Sequence, residues 1–135
     1  MTDYILDTNI CIYIIKRKPV RVFDRFKELP LGAVGISSVT LAEMQYGISK
    51  STKPDKNREA LDQFLLPLEI LDFDALAARE YGKIRSRLEK EGTPIGSLDM
   101  LIAAHAKSMG AILVTNNTKE FSRVADLKIE NWVSK

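Results

Sequence analysis

The sequence predicts a three-layer α/β/α domain, in which helices cover both faces of a central parallel sheet of about five strands. Short segments rich in Ile, Leu and Val alternate along the chain with longer segments whose apolar residues recur at helical spacing. The chain has 135 residues, of which 45% are apolar, and this suits one globular domain over residues 1–135.

Five short apolar segments fit strands of this sheet. Each is too short for a typical helix, and the first four are separated from one another by segments with helical character. In chain order they are residues 4–6, 33–36, 68–71, 111–114 and, more weakly, 128–130.

Six helices are predicted between the strands, and capping and helix-breaking residues set their ends. Ser37 or Ser38 can cap the third helix, and Ser97 can cap the sixth. Pro67 ends the fourth helix and Gly110 the sixth. The helices cover about residues 7–15, 20–29, 38–47, 56–66, 74–90 and 97–109. The apolar positions predicted to face the core in the fifth helix are Leu76, Ala77, Tyr81, Ile84 and Leu88.

Composition excludes several classes of protein and of site. No apolar run approaches the roughly 18 residues of a membrane span, and the start of the chain lacks the pattern of a secretion signal, so we expect a cytoplasmic protein. Cys11 is the only cysteine and His105 the only histidine, which excludes a cysteine-based zinc site and a histidine-rich cluster. We interpret Cys11, His105 and Trp132 as packing residues. Any metal would need oxygen ligands, as Mg²⁺ or Mn²⁺ does.

Two acids follow predicted strands. Asp7 comes directly after the first strand, and Glu120 lies a few residues beyond the fourth. Because ligands in such sheets bind beyond the carboxyl ends of the strands, both acids are expected at the same edge. Asp7 can equally serve as a helix N-cap.

Two more acids lie on helices. Glu43 shares a helix face with Val39, Ala42 and Tyr46, and an acid in an apolar stripe is costly to bury unless it is paired or binds a cation. The alternative is a surface glutamate at the margin of the stripe. Asp99 begins a face that continues with apolar residues, and its alternative role is to stabilise the first turn of its helix. The apolar residues of that face are Ile102, Ala103 and Ala106.

Four acids at one edge of a small domain suggest a metal site. Gathered carboxylates repel one another and raise each other's pKa unless a divalent cation lies between them. Such a site supports hydrolysis of phosphodiester bonds without a catalytic His or Cys. The chain has 20 basic and 18 acidic residues, so the surface outside these four acids has a basic excess that suits a polyanionic substrate.

Four blocks of sequence resemble the motifs of VapC-type PIN domains, and the resemblance covers essentially the whole chain. The blocks are LDTN (6–9), SVTLAEMQYG (38–47), GTPIGSLD (92–99) and VTNNTKEF (114–121). The resemblance implies a PIN-like fold in which Asp7, Glu43 and Asp99 are the core catalytic acids. It also implies that Asp7 and Asp99 bind Mg²⁺ directly, with Glu43 and Glu120 as further candidates.

The last block departs from the pattern of many PIN domains. They carry an aspartate two residues after the threonine that ends the fourth strand, where this chain has Asn117. This variant resembles an enteric-type VapC subgroup. Either Asn117 or Glu120, or both, could complete the site, and Thr115 is expected to orient a ligand or a water molecule.

The resemblance also implies an activity and partners. It implies an Mg²⁺-dependent endoribonuclease, with Mn²⁺ as a substitute ion, that acts as the toxin of a type II toxin–antitoxin pair and inhibits translation. The subgroup points to transfer RNA, cut in the anticodon region. The same resemblance implies a homodimer and a VapB-type antitoxin that lays a helix across the toxin.

Two other functions remain open. The first is a PIN-like DNA-processing nuclease, against which the small size and the lack of a helical arch insertion argue. The second is a non-catalytic, receiver-like binding module with Asp7 as a phosphoacceptor. That module would need a lysine at the end of a later strand, where this chain has Thr115-Asn116.

Overall fold

A computed structural model describes residues 2–134, so that Met1 and Lys135, the ends of the predicted domain, lie outside the described residues. The described chain forms a sheet of five strands in the order β3-β2-β1-β4-β5, and every neighbouring pair is parallel. This confirms the predicted fold class. The strands are β1 (Tyr4–Leu6), β2 (Val34–Ser37), β3 (Glu69–Leu71), β4 (Ile112–Val114) and β5 (Ile129–Glu130).

Helices connect the strands, and the bounds of the six predicted ones differ from the prediction by at most two residues. A seventh helix in the described chain, α7, was not predicted. It has four residues, which is about one turn, and one turn is too short to show helical periodicity. The helices are α1 (Thr8–Lys16), α2 (Val20–Glu28), α3 (Ser38–Ser49), α4 (Pro54–Leu65), α5 (Ala75–Glu91), α6 (Ser97–Met109) and α7 (Thr118–Phe121).

The interior consists of two hydrophobic cores, one on each face of the sheet. Leu6 and Val114 are paired in register and lie in the core beneath α1 to α4. Ile5 and Leu113 are the preceding pair and lie in the core beneath α5 and α6. Because successive side chains of a strand point to opposite faces, two adjacent apolar positions supply both cores.

Two details of the helix predictions were wrong. Ser97 does not cap α6 but is its first residue; Gly96 is the cap, and its carbonyl accepts the first helical hydrogen bond, from Met100 at 2.9 Å. Leu76, predicted to face the core, is 62% exposed. It lies in the first turn of α5, whose buried residues are Ala77, Ile84 and Leu88.

The strand order places β1 at the centre of the sheet, between β2 and β4. The chain moves outward from β1 to β3 on one side, then crosses back to continue through β4 and β5 on the other. The carboxyl ends of β1 and β4 therefore meet where the strand order reverses, which is the position at which open α/β sheets bind ligands. Over residues 2–134, no helix is both long and apolar enough to cross a membrane.

Candidate active site

Asp7 lies at the junction of β1 and α1 and is 5% exposed. Its backbone amide donates to the Val114 carbonyl at 3.1 Å, which continues the β1–β4 pairing by one residue. Its Oδ1 accepts from the Ile10 amide at 2.9 Å, so the side chain does cap α1. The cap is made by one oxygen of the carboxylate.

The environment of Asp7 shifts its ionisation equilibrium towards the neutral form. Burial raises the pKa of this carboxyl, and the negative charge of Glu43 raises it further. The Thr115 side chain and the amides of Ile10 and Asn9 oppose the shift but do not cancel it. A carboxylate in this position gains stability from a cation placed beside it.

Glu43 lies on α3 and is half-buried. Its Oε1 accepts a hydrogen bond of 2.8 Å from the hydroxyl of Thr8, at the start of α1. The reasoning that led to Glu43 was wrong, because its helix face is not the one that packs on the core: Ala42 is exposed and Tyr46 is 67% exposed. The face of α3 that is buried carries Thr40, Met44 and Ile48.

Asp99 lies in the first turn of α6, at the end of one face of that helix. The other members of this face are fully buried, as predicted: Ile102, Ala103 and Ala106. Burial raises the pKa of Asp99, and the negative charges of Glu120, Asp7 and Glu43, in that order, raise it further. The structure therefore brings the four sequence-predicted acids close enough to repel one another, although they come from four separate parts of the chain.

In the segment after β4, a hydrogen bond links Asn117 and Glu120, the two candidates to complete the site. The Thr115 hydroxyl, fully buried, accepts from the Asn117 amide at 2.9 Å. Asn117 in turn donates from its side-chain Nδ2 to Oε2 of Glu120 at 3.2 Å. Asn117 and Glu120 thus form one hydrogen-bonded unit, in which the amide orients the carboxylate.

The four acids are gathered but do not form a ready-made cage. Within residues 2–134, no three His, Cys, Asp or Glu side chains stand close enough together to hold one ion. Mg²⁺ does not require such a cage, because it usually keeps several waters and binds to the protein through one or two carboxylates. Two buried or half-buried carboxyls with raised pKa, beside two further acids, fit an ion of this kind.

Three residues with reactive or aromatic side chains are packing residues, as predicted. The Nδ1 of His105 lies 2.8 Å from the Ser37 hydroxyl, and the ring packs edge-on against Phe73. Cys11 is fully buried, and burial raises the pKa of its thiol well above the usual value. Trp132 packs edge-on against Tyr4 and is 4% exposed.

Sequence reasoning gave no role to Thr8, although it lies within the first motif block. The structure shows that it ties the start of α1 to the acid of α3. A contact between residues 35 positions apart leaves no local pattern in the sequence. Only the presence of a hydroxyl beside Asp7 could have suggested it.

We expect Thr8→Val to lower the rate of catalysis by roughly 10- to 100-fold, the range typical of residues that orient a metal ligand. Valine keeps the shape of threonine but removes the hydrogen bond to Glu43. Thr8→Ser keeps the hydroxyl and should retain most of the activity. The measurement is kcat for both variants, with thermal unfolding as a control for the fold. Equal activity of the Val and Ser variants would show that the bond does not position Glu43.

Comparisons with known proteins agree with this geometry. The family model described as "PIN domain" matches residues 4–127. The chain is 48% identical to the tRNA(fMet)-specific endonuclease VapC of Shigella flexneri, over 98% of this chain and 99% of that protein. It is 47% identical to ribonuclease VapC2 of Haemophilus influenzae, over 98% of this chain and 100% of that one.

Among solved structures, the fold is similar to that in DNA-bound VapBC from Salmonella typhimurium. That comparison has a TM-score of 0.92 at 45% identity and covers 98% of this chain and 99% of the other. VapBC2 from Rickettsia felis, bound to a DNA fragment from its promoter, gives a TM-score of 0.91 at 47% identity, covering 97% and 99% of the two chains.

Proposed function

The chain belongs to the PIN-domain family, as one of its VapC ribonucleases, and from this premise we propose that it is an Mg²⁺-dependent endoribonuclease toxin that cuts transfer RNA. The observation that carries the proposal is the convergence of four acids at the reversal point of the sheet, where the charges of Glu120, Asp7 and Glu43 raise the pKa of Asp99. The substrate follows from relatives at 45% and 48% identity that are named tRNA(fMet)-specific endonucleases. We propose the anticodon region as the place of cutting.

We assign the roles within the site as follows. Asp7 and Asp99 hold Mg²⁺, for which Mn²⁺ can substitute. Glu43 and Glu120 complete the group of four acids. When bound, such an ion supplies a reactive water near neutral pH and stabilises negative charge on the phosphate. The protein fixes the acids in place through three neighbouring side chains: Thr8 holds Glu43, Asn117 holds Glu120, and Thr115 lies beside Asp7.

A groove beside the acids supports a VapB-type antitoxin as partner. A cavity of about 350 Å³ lies between α1, α3 and α4, with apolar walls that include Ile12, Ile15 and Met44. Thr8 and Glu43 also line it, so the groove runs up to the acid cluster. An amphipathic helix docks in a groove of this kind through its apolar face. A basic side chain at the end of that helix could then reach the acids and block them.

We also propose that the chain forms a homodimer. Several large apolar side chains are exposed on α3, α5 and α6, and their burial against a second copy of the chain would stabilise a dimer. They include Tyr46 at 67%, Leu76 at 62% and Leu98 at 46% exposure. Light scattering of the purified protein gives its mass in solution, and a monomer at micromolar concentration would contradict this part of the proposal.

The direct test of the activity is to incubate the purified protein with total RNA and Mg²⁺, with and without a chelator, and to map the new 5′ ends. We expect ends confined to one site in one transfer RNA, lost with the chelator and restored by Mg²⁺ or Mn²⁺. Cleavage that survives chelation would refute the metal-dependent mechanism. Cleavage of DNA alone would favour a DNA-processing nuclease instead.

A further inference from the structure

A second groove is lined by cations. It lies on the opposite face of the sheet from the groove between α1, α3 and α4 that we assign to the antitoxin. It has a volume of about 210 Å³ and is formed by α5, α6 and the segment after α7. All four charged residues that line it are basic, and the rest of the lining includes Ile84, Leu88 and Val124. The four cations are Lys83, Arg87, Lys107 and Arg123.

The cations are only partly neutralised. Glu80 is shared between Lys83, at 3.4 Å, and Lys107, at 3.7 Å, while Arg87 pairs with Glu91 at 3.2 Å. Two carboxylates at the rim therefore face four positive charges. The side chains of Lys83 and Arg87 are 66% and 57% exposed. The Arg87–Glu91 pair is exposed on both sides and contributes little to stability, so a phosphate can replace Glu91 at low cost, whereas Glu80 is only 20% exposed.

The groove begins beside the candidate active site. Arg123 follows Glu120 by three residues, which is less than one helical turn. Its guanidinium donates to the Pro94 carbonyl at 3.1 Å, in the loop that leads into α6 and Asp99. Lys107 lies eight residues beyond Asp99 on α6, about 12 Å along the helix axis. The cations thus extend from the acids along one flank of the molecule.

We propose that this groove binds the phosphate backbone of the RNA substrate at a distance from the cleaved bond. The proposal rests on the ribonuclease activity proposed above and adds a surface that contributes to binding of the substrate but not to the chemical step. Charge complementarity favours a polyanion over a protein partner, and continuity with the acids favours the same RNA molecule that is cut. The apolar lining offers a surface for the sugars between successive phosphates.

The helix α5 provides a matched pair of variants, Arg87→Gln and Arg85→Gln. Each removes one positive charge and one ion pair of i,i+4 spacing, Arg87 with Glu91 at 3.2 Å and Arg85 with Glu89 at 3.1 Å. The two arginines lie about 200° apart around the helix, and of the two only Arg87 lines the groove. Both variants lose the same net charge, and Arg85→Gln also loses a 2.8 Å hydrogen bond to the Tyr81 hydroxyl, so a higher KM for Arg87→Gln reports on the groove and not on helix stability.

The experiment measures KM and kcat for a full-length tRNA(fMet) transcript over a range of salt concentrations. Relative to Arg85→Gln, Arg87→Gln should raise KM about fivefold near physiological salt and lower the slope of log KM against log salt by about 1. The double variant Lys83→Gln/Arg87→Gln should lower that slope by about 2. With a short RNA that contains only the cleaved bond and its neighbours, the difference between the variants should disappear.

The outcomes separate this inference from the proposed activity. If the unaltered protein cuts no RNA, the proposed function fails. If it cuts RNA but the Arg87 and Arg85 variants share the same KM and salt slope, the groove does not bind the substrate and the inference is wrong. If Arg87→Gln lowers kcat and leaves KM unchanged, the arginine acts in the chemical step, and this also contradicts the inference.

Discussion

Replacement of Asp7 or Asp99 by asparagine should reduce cleavage by at least about a thousandfold. Each substitution keeps the shape of the side chain and removes the negative charge that we assign to metal binding. Asn is also as good an N-cap as Asp, so Asp7→Asn should leave the start of α1 intact. Initial rates at saturating Mg²⁺ measure the loss, and near-normal activity in either variant would refute the assignment of the metal site.

The same two substitutions should stabilise the metal-free protein near neutral pH. Both carboxyls have a pKa above the usual value in the folded chain, so the folded state binds their protons more tightly than the unfolded state does. Their charged forms therefore oppose folding at neutral pH, and this penalty is relieved as the pH falls through the raised pKa values. The melting temperature of each variant should exceed that of the unaltered protein at pH 7.

The stability gain has a pH dependence that identifies its cause. The difference in melting temperature should shrink as the pH approaches 3.8, the ordinary value of an aspartate, because the carboxyls are then protonated in the unaltered protein as well. Asp62→Asn, on the exposed surface of α4, is the matched control and should change neither activity nor stability. An equal gain from Asp62→Asn would show that net charge, and not crowding at the site, is responsible.

The positions of Asp7 and Asp99 could be predicted from the sequence because each depends on a local element. A strand followed by a capping residue places Asp7 at the edge of the sheet, and a helical repeat of small apolar residues places Asp99 at the end of a buried face. Both signals lie within a few residues of the acid, where periodicity and capping preferences are informative.

Glu43 shows where this reasoning is limited. Periodicity shows which residues share a face of α3, but not whether that face meets the core or the site. The residues on the Glu43 face are largely exposed, and the core is contacted by a face that includes the polar Thr40. The hydroxyl of Thr40 is buried and has no hydrogen-bond partner among the described residues, so a polar residue there gave no indication of burial. Only the packing of α3 against the rest of the domain determines which of its faces is buried.

The relation between Asn117 and Glu120 also needed the structure. The sequence left open whether Asn117, Glu120 or both complete the site. The one-turn helix α7 places them in contact, with the amide of Asn117 donating to the Glu120 carboxylate. A residue that orients the acid can thus occupy the position at which many PIN domains have the acid itself.

The products of cleavage should carry a 5′-phosphate and a 3′-hydroxyl, with no 2′,3′-cyclic phosphate. A ribonuclease that forms cyclic phosphate needs a base to take the proton from the ribose 2′-hydroxyl, and histidine is the usual choice. The only histidine of this chain is 1% exposed and is held against Ser37, so it does not reach the substrate. Water is then the nucleophile: its oxygen bonds to phosphorus, and the 3′-oxygen leaves and takes up a proton.

A single 2′-deoxynucleotide at the cleaved position tests this mechanism, because only attack by the 2′-hydroxyl requires the group that is removed. If water attacks, a synthetic stem-loop with that one substitution should be cut at a rate within about tenfold of the all-RNA version, since the 2′-hydroxyl then contributes only to recognition. If the 2′-hydroxyl attacks, the substituted RNA cannot react at all. The matched control places the deoxynucleotide one position away, and binding of each RNA to the Asp7→Asn variant separates weak binding from slow chemistry. A substituted RNA that binds normally but stays intact, or a cyclic phosphate on the products, would overturn the hydrolytic mechanism and would require the four acids to act on the ribose instead.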